Sequence, residues 1–249
     1  ITADCGITSV SEIAEAQASG LDVLVTDHHM PLGSLPPAAA IVNPNLPGSP
    51  YPYSHLAGVG VAFKLIQGLY RSLDKDWERS LLELVALGTI ADIAPITGEN
   101  RTLVAQGLRE MNKQPLPGLK ALMQEAGIRQ GQVDTEAIAY ALAPRINAAG
   151  RIDTPIASLQ LLTTRSAEQA ASLARLLQEQ NQQRQQMTQA ILEKTRIEAS
   201  RQAGEKTLLF LGGKDYPAGV VGLAAGKLAE EFYRPTIVME IGEKVSRGS

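Results

Sequence analysis

The residues best suited to chemistry lie near the start of the chain. Asp4 closes one short apolar run, and Asp27-His28-His29 closes a second, "LDVLVT", just ahead of Met30-Pro31. Only three histidines occur in 249 residues, so an adjacent pair behind an aspartate concentrates imidazole nitrogen in one place. Carboxylate oxygen with imidazole nitrogen suits Mn, Zn or Fe better than Ca, at ligand distances of about 2.0–2.2 Å. Neighbouring parallel strands would put the two run ends about 4.8 Å apart, opening on one sheet edge. The competing reading is a polar turn in which Asp27 caps the next segment. Placement of Asp4 and Asp27 at two strand ends favours the metal.

Asp92, in "LGTIADIAPI", is a third candidate ligand. Its neighbours are almost all apolar, and an unpaired carboxylate in such company is costly unless a cation or a partner meets it. An N-cap role is the alternative, but Asp92 precedes "TGENRTLV" by too many residues for that. Further on, "APRINAAGRID" sets Arg145, Asn147 and Arg151 among Ala and Gly. Guanidinium groups grip phosphate bidentately, and small neighbours let a backbone come close. The same spacing fits a helix C-terminus with Gly150 at C′, and both readings stand. "GGKDYPAGVVGLAAGKL" reads as a Gly-rich turn entering a helix, a possible anion site. It lacks the P-loop spacing, which argues against NTP hydrolysis.

These groups need elements to position them. "ITADCG" reads as a strand end, "SVSEIAEAQASG" as a helix closed by Gly20, and "LDVLVTD" as a second strand; together they form a βαβ unit. "AAIVNP" is a third short strand. From Leu56 the pattern turns helical, through "LAGVGVAFKLIQGLYRSL", "DWERSLLELVALGTI", "NRTLVAQGLREMN", "LPGLKALMQEAG" and "DTEAIAYALAPRIN". Ser166 to about Arg201 reads as one polar helix, spanning roughly 50 Å at 1.5 Å per residue, suited to a strut between domains. Its Gln cluster reads as a solvated helix face rather than low complexity. "KTLLFLGG", "AGVVGLAAGKLAEEFY" and "RPTIVMEIG" then form a second strand–helix–strand unit. The fold class is therefore α/β, with three parts: residues 1–165, a connecting helix at 166–203, and 204–249.

The bulk numbers set limits. An apolar share of 44% and a charged share of 20% belong to an ordinary globular protein, and a formal charge of −3 gives no global nucleic-acid signature. The single cysteine, Cys5, excludes an internal disulfide framework and suits a reducing cytoplasm. No apolar run approaches a membrane-spanning length, and the opening residues lack a signal-peptide pattern.

Taken together, "ADCGITS", "VLVTDHHMP", "LAGVGVAFKL", "LGTIADIAPITGENR", "APRINAAGRID" and "GVVGLAAGKLAEEFYRPTIV" resemble the DHH phosphoesterase superfamily. Within it they resemble the bacterial RecJ-type single-strand DNA exonucleases, cyanobacterial versions most of all, with the last module similar to a DHHA1 domain. Asp-His-His alone is shared with pyrophosphatases and nanoRNA hydrolases; "GVGVAFKL" with "PRINAAGR" is the more specific part. The resemblance implies a two-ion Mn²⁺ or Mg²⁺ site in which Asp4 bridges both ions and His28 and Asp92 ligate one. It implies that Asp27 binds or orients the cluster and that His29 faces the scissile phosphate. Arg145, Asn147 and Arg151 would hold DNA phosphates, and Ser249 would open a Gly-Ser-x-Arg-Ser phosphate loop. The implied reaction is 5′-to-3′ hydrolysis of single-stranded DNA in repair and recombination. A single-strand-binding protein and a helicase are the candidate partners, and no membrane is involved.

This sequence departs from the family pattern in three places. An Asp-x-Asp motif is implied ahead of Ile1, Pro217 stands where many relatives carry His, and the phosphate loop is reached only at Gly248-Ser249. The resemblance thus implies a fragment with little or no nuclease activity by itself. The alternatives are a phosphoesterase for nanoRNA or 3′-phosphoadenosine phosphate, and a catalytically silent scaffold or DNA-binding protein.

Overall fold

A computed structural model describes residues 1–77 and 79–249. The chain packs as two compact units, Ile1–Ala143 and Pro144–Ser249. In the first, β1 (Thr2–Ala3), β2 (Leu24–Thr26) and β3 (Ala40–Val42) form a parallel sheet in that order. Thr2 lies opposite Val25, and Val25 opposite Ile41. Parallel neighbours need a crossover, here α1 (Val10–Ala18). The helix stops because Gly20 accepts a φ of 83°, which turns the amides of Gly20 and Leu21 back onto the carbonyls of Gln17 and Ala16. The strand–helix–strand reading and its glycine stop are both present.

Four helices follow: α2 (Gly58–Ser72), α3 (Leu81–Ala91), α4 (Gly98–Lys113) and α5 (Pro117–Glu125). Leu56, Val61, Phe63, Leu82, Val85 and Leu103 form a shared core. α3, "LLELVALGTIA", is apolar on nearly every face and is correspondingly buried. Gly107 lets α4 cross it closely, since a side chain there would run into the Leu82 carbonyl. The helical stretch expected from Asp76 includes position 78, which lies outside the described residues; the described helix starts at Leu81.

The sequence suggests one helix over "DTEAIAYALAPRIN", but the chain forms a π-helical turn, Ala137–Leu142, before α6 (Ala143–Ile152). The wider turn stacks Ile138 and Leu142 into the core, both 0% exposed, and puts Tyr140 outside. α6 continues past Gly150, so that glycine is a helix residue and not the C′ stop considered above.

The second unit holds most of α6, then α7 (Ile156–Thr163), α8 (Ala167–Glu205), β4 (Leu209–Gly213), α9 (Ala218–Phe232), β5 (Thr236–Glu240) and β6 (Arg247–Gly248). β4 and β5 run parallel, and β6 adds antiparallel to β5. α8 is a 39-residue helix. Ser166 caps it, its Oγ accepting from the Gln169 amide at 3.2 Å. Its buried residues, Ala170, Ala174, Leu177, Asn181, Thr188, Ile191, Leu192, Thr195 and Ala199, recur at helical spacing along one stripe. Ile191, Leu192 and Ala199 pack into a core with Leu209, Leu211, Val220, Val221, Leu228 and Val238.

One core residue of the first unit carries an acid. Glu83, 1% exposed, accepts the Leu116 amide at 2.9 Å and so serves the start of α5. Burial is the main reason its carboxyl is pushed up from 4.5 to about 7; the Leu116 bond opposes the rise and Glu110 adds to it. The native state therefore keeps a proton that the unfolded chain gives up between those two values. Stability from this group is complete below 4.5 and is lost as pH rises through about 7. Comparing wild type with Glu83→Gln by denaturant unfolding, the gap should move in the variant's favour by about 2–3 kcal/mol between pH 4.5 and 8. Parallel pH profiles would show that Glu83 titrates normally.

Candidate metal centre and basic residues

The sheet register places the first two aspartates. The Asp4 amide bonds to Thr26 O at 2.9 Å and the Asp27 amide to Val42 O at 3.0 Å, so each residue extends its strand by one ladder step. From there they diverge. Asp4 takes a left-handed φ of 62°, unusual for a residue with a side chain, and its carboxylate stays half exposed. Asp27 turns inward, with its side chain 1% exposed.

Asp27 is filled with donors. One oxygen accepts the Ile7 amide at 3.0 Å. The other accepts the His28 amide at 2.8 Å and the His29 amide at 3.2 Å, and meets His29 Nδ1 at 2.7 Å. Burial would raise the Asp27 carboxyl, but the bonds from Ile7, His29 and His28 outweigh it and hold it below its ordinary value. The same contact is the main cause that raises His29. Asp27 thus braces the loop and fixes one imidazole.

His28 points the other way. Its Nε2 lies 3.0 Å from Asp4 Oδ1 and 3.7 Å from Asp92 Oδ2, yet it is buried and makes no well-aligned hydrogen bond to either. An imidazole nitrogen and two carboxylate oxygens directed at one another call for a cation between them, and this is the donor set of a divalent transition-metal site. Among the described residues, Asp4, His28 and His29 also offer ligand atoms that all lie within 4.8 Å of one another. Asp92 reaches this group as the C-cap of α3, followed by Ile93 at a left-handed φ of 57°.

Several supporting residues escaped the sequence reading. Asn43 Nδ2 donates to His29 O at 2.9 Å and Asn45 Nδ2 to His28 O at 2.6 Å, while the Asn45 amide bonds Asn43 Oδ1. The signal was the Asn-Pro-Asn run after β3, a turn pattern. Gly58 opens α2 directly against Asp4, and any Cβ there would collide with the Asp4 carboxylate. It stood in "GVGVAFKL", but spacing alone gave no reason for a glycine.

The basic candidates belong to the second unit. Asn147 and Arg151 share one face of α6 as an i, i+4 pair. Arg151 Nη1 donates to Gly219 O at 3.2 Å. Arg145 lies on another face, where its Nε donates to Gln178 Oε1 on α8 at 2.7 Å. Ser249 pairs with Val238 in both directions beside β5. Pro217 is the N-cap residue of α9.

Residues 1–89 match the DHH family, N-terminal domain. A single-stranded-DNA-specific exonuclease RecJ of Bacillus subtilis is 39% identical over 251 residues, covering 100% of this chain and 31% of the relative. The crystal structure of RecJ in complex with Mn²⁺ from Thermus thermophilus superposes with a TM-score of 0.87 at 34% identity, covering 96% of this chain and 36% of that one. The Mg²⁺ complex from the same organism gives 0.77 at 32% identity, covering 89% and 33%. The chain spans between about a third and a half of the length of the curated relatives it matches.

Gly58→Ala supplies a direct check on this geometry. Its methyl group should displace the Asp4 carboxylate and weaken Mn²⁺ binding about 10–100-fold, the range seen when a ligand loses its support. Titration followed by the Mn²⁺ EPR signal reads the affinity, and circular dichroism should report an intact fold. Unchanged affinity would mean that Asp4 does not hold the ion.

Proposed function

We propose that the chain is a member of the DHH phosphoesterase family, in its RecJ branch, and forms part of a metal-dependent exonuclease on single-stranded DNA. The reaction is hydrolysis of phosphodiester bonds, 5′ to 3′, in DNA repair and recombination. The observation that carries this reading is the convergence of His28 Nε2 with Asp4 and Asp92, without a proton-sharing geometry among them.

Asp4, His28 and Asp92 would hold the divalent metal, Mn²⁺ or Mg²⁺. A bound divalent pair supplies an activated water and neutralises charge on the attacking and leaving oxygens. The chain's own side chains do the positioning. Asp27 keeps the Asp-His-His loop rigid and binds His29 through Nδ1, which leaves His29 Nε2 free of that bond and available to a phosphate oxygen. Arg145, Asn147, Arg151 and Ser249 would hold backbone phosphates. No described helix is long and apolar enough to cross a membrane. A cytoplasmic site of action, with a single-strand-binding protein and a helicase as partners, goes with this reading.

A catalytically silent scaffold is the weaker alternative, since a silent descendant has no need of Asp4, Asp27, His28 and Asp92 in one arrangement. The test uses the family-length protein that carries these residues, on 5′-labelled single- and double-stranded DNA with Mn²⁺. Wild type should degrade the single strand preferentially. Asp27→Ala should lose at least about 100-fold in rate, as expected when the support of a catalytic group is removed. Equal digestion by the variant would refute the assigned centre, and preference for dinucleotides would move the assignment to the nanoRNA hydrolases.

A further inference from the structure

The segment "APITGENR", Ala94 to Arg101, follows Asp92 closely yet supplies no candidate ligand. It leads into α4, whose first turn carries Asn100, 0% exposed. A carboxamide enclosed so completely must be hydrogen-bonded to be tolerated. Its Nδ2 donates to two carbonyls, His55 O at 2.6 Å and Pro95 O at 3.0 Å. Among neutral side chains, only the NH₂ of Asn or Gln gives two protons from one atom.

Those two carbonyls belong to the two loops that lead into the candidate centre. Pro95 stands three residues past Asp92, and the Ala94 amide between them is bonded back to Thr89 O. His55 stands three residues ahead of Gly58, where any Cβ would collide with the Asp4 carboxylate. Leu56 and Ala57, between His55 and Gly58, are 2% and 1% exposed, which leaves that stretch little slack. Contacts therefore run from Asp4 through Gly58 and His55 to Asn100, and back through Pro95 to Asp92. His28 closes the ring, 3.0 Å from Asp4 and 3.7 Å from Asp92.

A second hold on the Pro95 loop is weaker. Tyr53 has one hydroxyl proton, and its oxygen lies 2.8 Å from Thr97 O but 3.2 Å from Pro95 O. Thr97 O takes the better bond, so Pro95 depends chiefly on Asn100. Tyr51 fastens α4 elsewhere, its hydroxyl donating to Glu99 Oε2 at 2.6 Å. The left-handed backbones of Asp4 and Ile93 fix each residue within its own turn. The distance between the two turns needs a link across them, and two carboxylates facing one imidazole would otherwise push it wider.

We propose that Asn100 is a positioning residue for the metal centre: by bridging His55 and Pro95 it sets how far Asp92 stands from Asp4 and His28. The consequence for an ion rests on the metal reading above; the bridge itself does not.

The experiment is a double-mutant cycle in the family-length protein that carries these residues, with Mn²⁺ affinity read from the EPR signal of the free ion. Asn100→Leu, similar in size but without the two donors, should weaken Mn²⁺ binding about tenfold, as when a ligand loses its orienting partner. In an Asp92→Ala background the same substitution should bring no further loss, because the bridge then has no ligand to place. Tyr53→Phe should give a smaller loss of the same sign. Tyr51→Phe should lower the thermal midpoint and leave Mn²⁺ affinity unchanged, which separates positioning from stability. Wild-type affinity in Asn100→Leu would overturn the proposal. So would an undiminished loss in the Asp92→Ala background, or an equal loss in Tyr51→Phe, since either would mean a general effect on the fold. If Asn100→Leu does not fold, Tyr53→Phe carries the cycle, and unchanged affinity there would overturn the proposal. No Mn²⁺ binding by the wild type would remove the metal reading and Asn100's role with it. Binding that Asp92→Ala weakens and Asn100→Leu does not would leave the reading and remove only Asn100.

Discussion

The buried carboxylate of Asp27 is the constraint around which the first unit's site is arranged. It receives the amide of Ile7 from the loop after β1, and two amides and an imidazole from the turn after β2. A carboxylate 1% exposed is tolerable only with its lone pairs occupied, so these donors are obligatory rather than decorative. Satisfying them fixes the β1–α1 loop against the β2 turn and splits the two histidines. His29 is held by the carboxylate, and His28 is left to face Asp4 and Asp92. Removing the carboxylate would strand three backbone amides and release the His29 ring.

A second rule recurs around both sets of candidate residues: charged side chains and proposed ligands are held by neutral amides. Asn43 and Asn45 clasp the carbonyls of His29 and His28. Gln178 takes the Nε of Arg145, and Asn181 takes the fork of Arg184. An amide oxygen or nitrogen fixes direction at the cost of roughly one ordinary hydrogen bond and adds no net charge. Near a cation site, extra carboxylates would compete for the ion. Near arginines proposed to bind phosphate, they would neutralise the attraction. A chain with an overall charge of −3 can still present local positive charge to a polyanion if its acids are kept off those arginines.

Much of this was legible beforehand, for identifiable reasons. Alternation and turn chemistry marked β1, β2 and the Gly20 stop because strand ends and left-handed caps follow from single residues. Asp4 and Asp27 were legible as strand-end aspartates because a parallel register fixes where such ends fall. Their divergence was not legible, since it depends on which side of the turn the Ile7 amide arrives. Gly58 was invisible for a related reason: its need arises from a neighbour 54 positions away, as the Asp4 contact shows. The π-helical turn at Ala137–Leu142 escaped because the apolar pattern "AIAYAL" satisfies either period over so short a run. Asn181 and Arg184 sat at a visible i, i+3 spacing, but the surrounding glutamines made them look like one more stretch of solvated face.

The backbone holds the proposed ligands in place. Asp4 and Ile93 both hold left-handed φ values, and each lies at or beside a proposed ligand. For a β-branched residue such as Ile93 this conformation costs on the order of 1–2 kcal/mol, and glycine would avoid the cost. Ile93 occupies the position just past α3, where its amide and that of Ala94 bond back to Ile90 and Thr89. Tying the helix end in this way leaves Asp92 little freedom to swing away from His28. Carboxylates that repel one another would otherwise spread apart before a cation arrives. Strain at Asp4 and Ile93 therefore acts against that spreading, with the Asp27 hydrogen bonds and the Gly58 contact as its backing, so that less reorganisation remains when the ion binds.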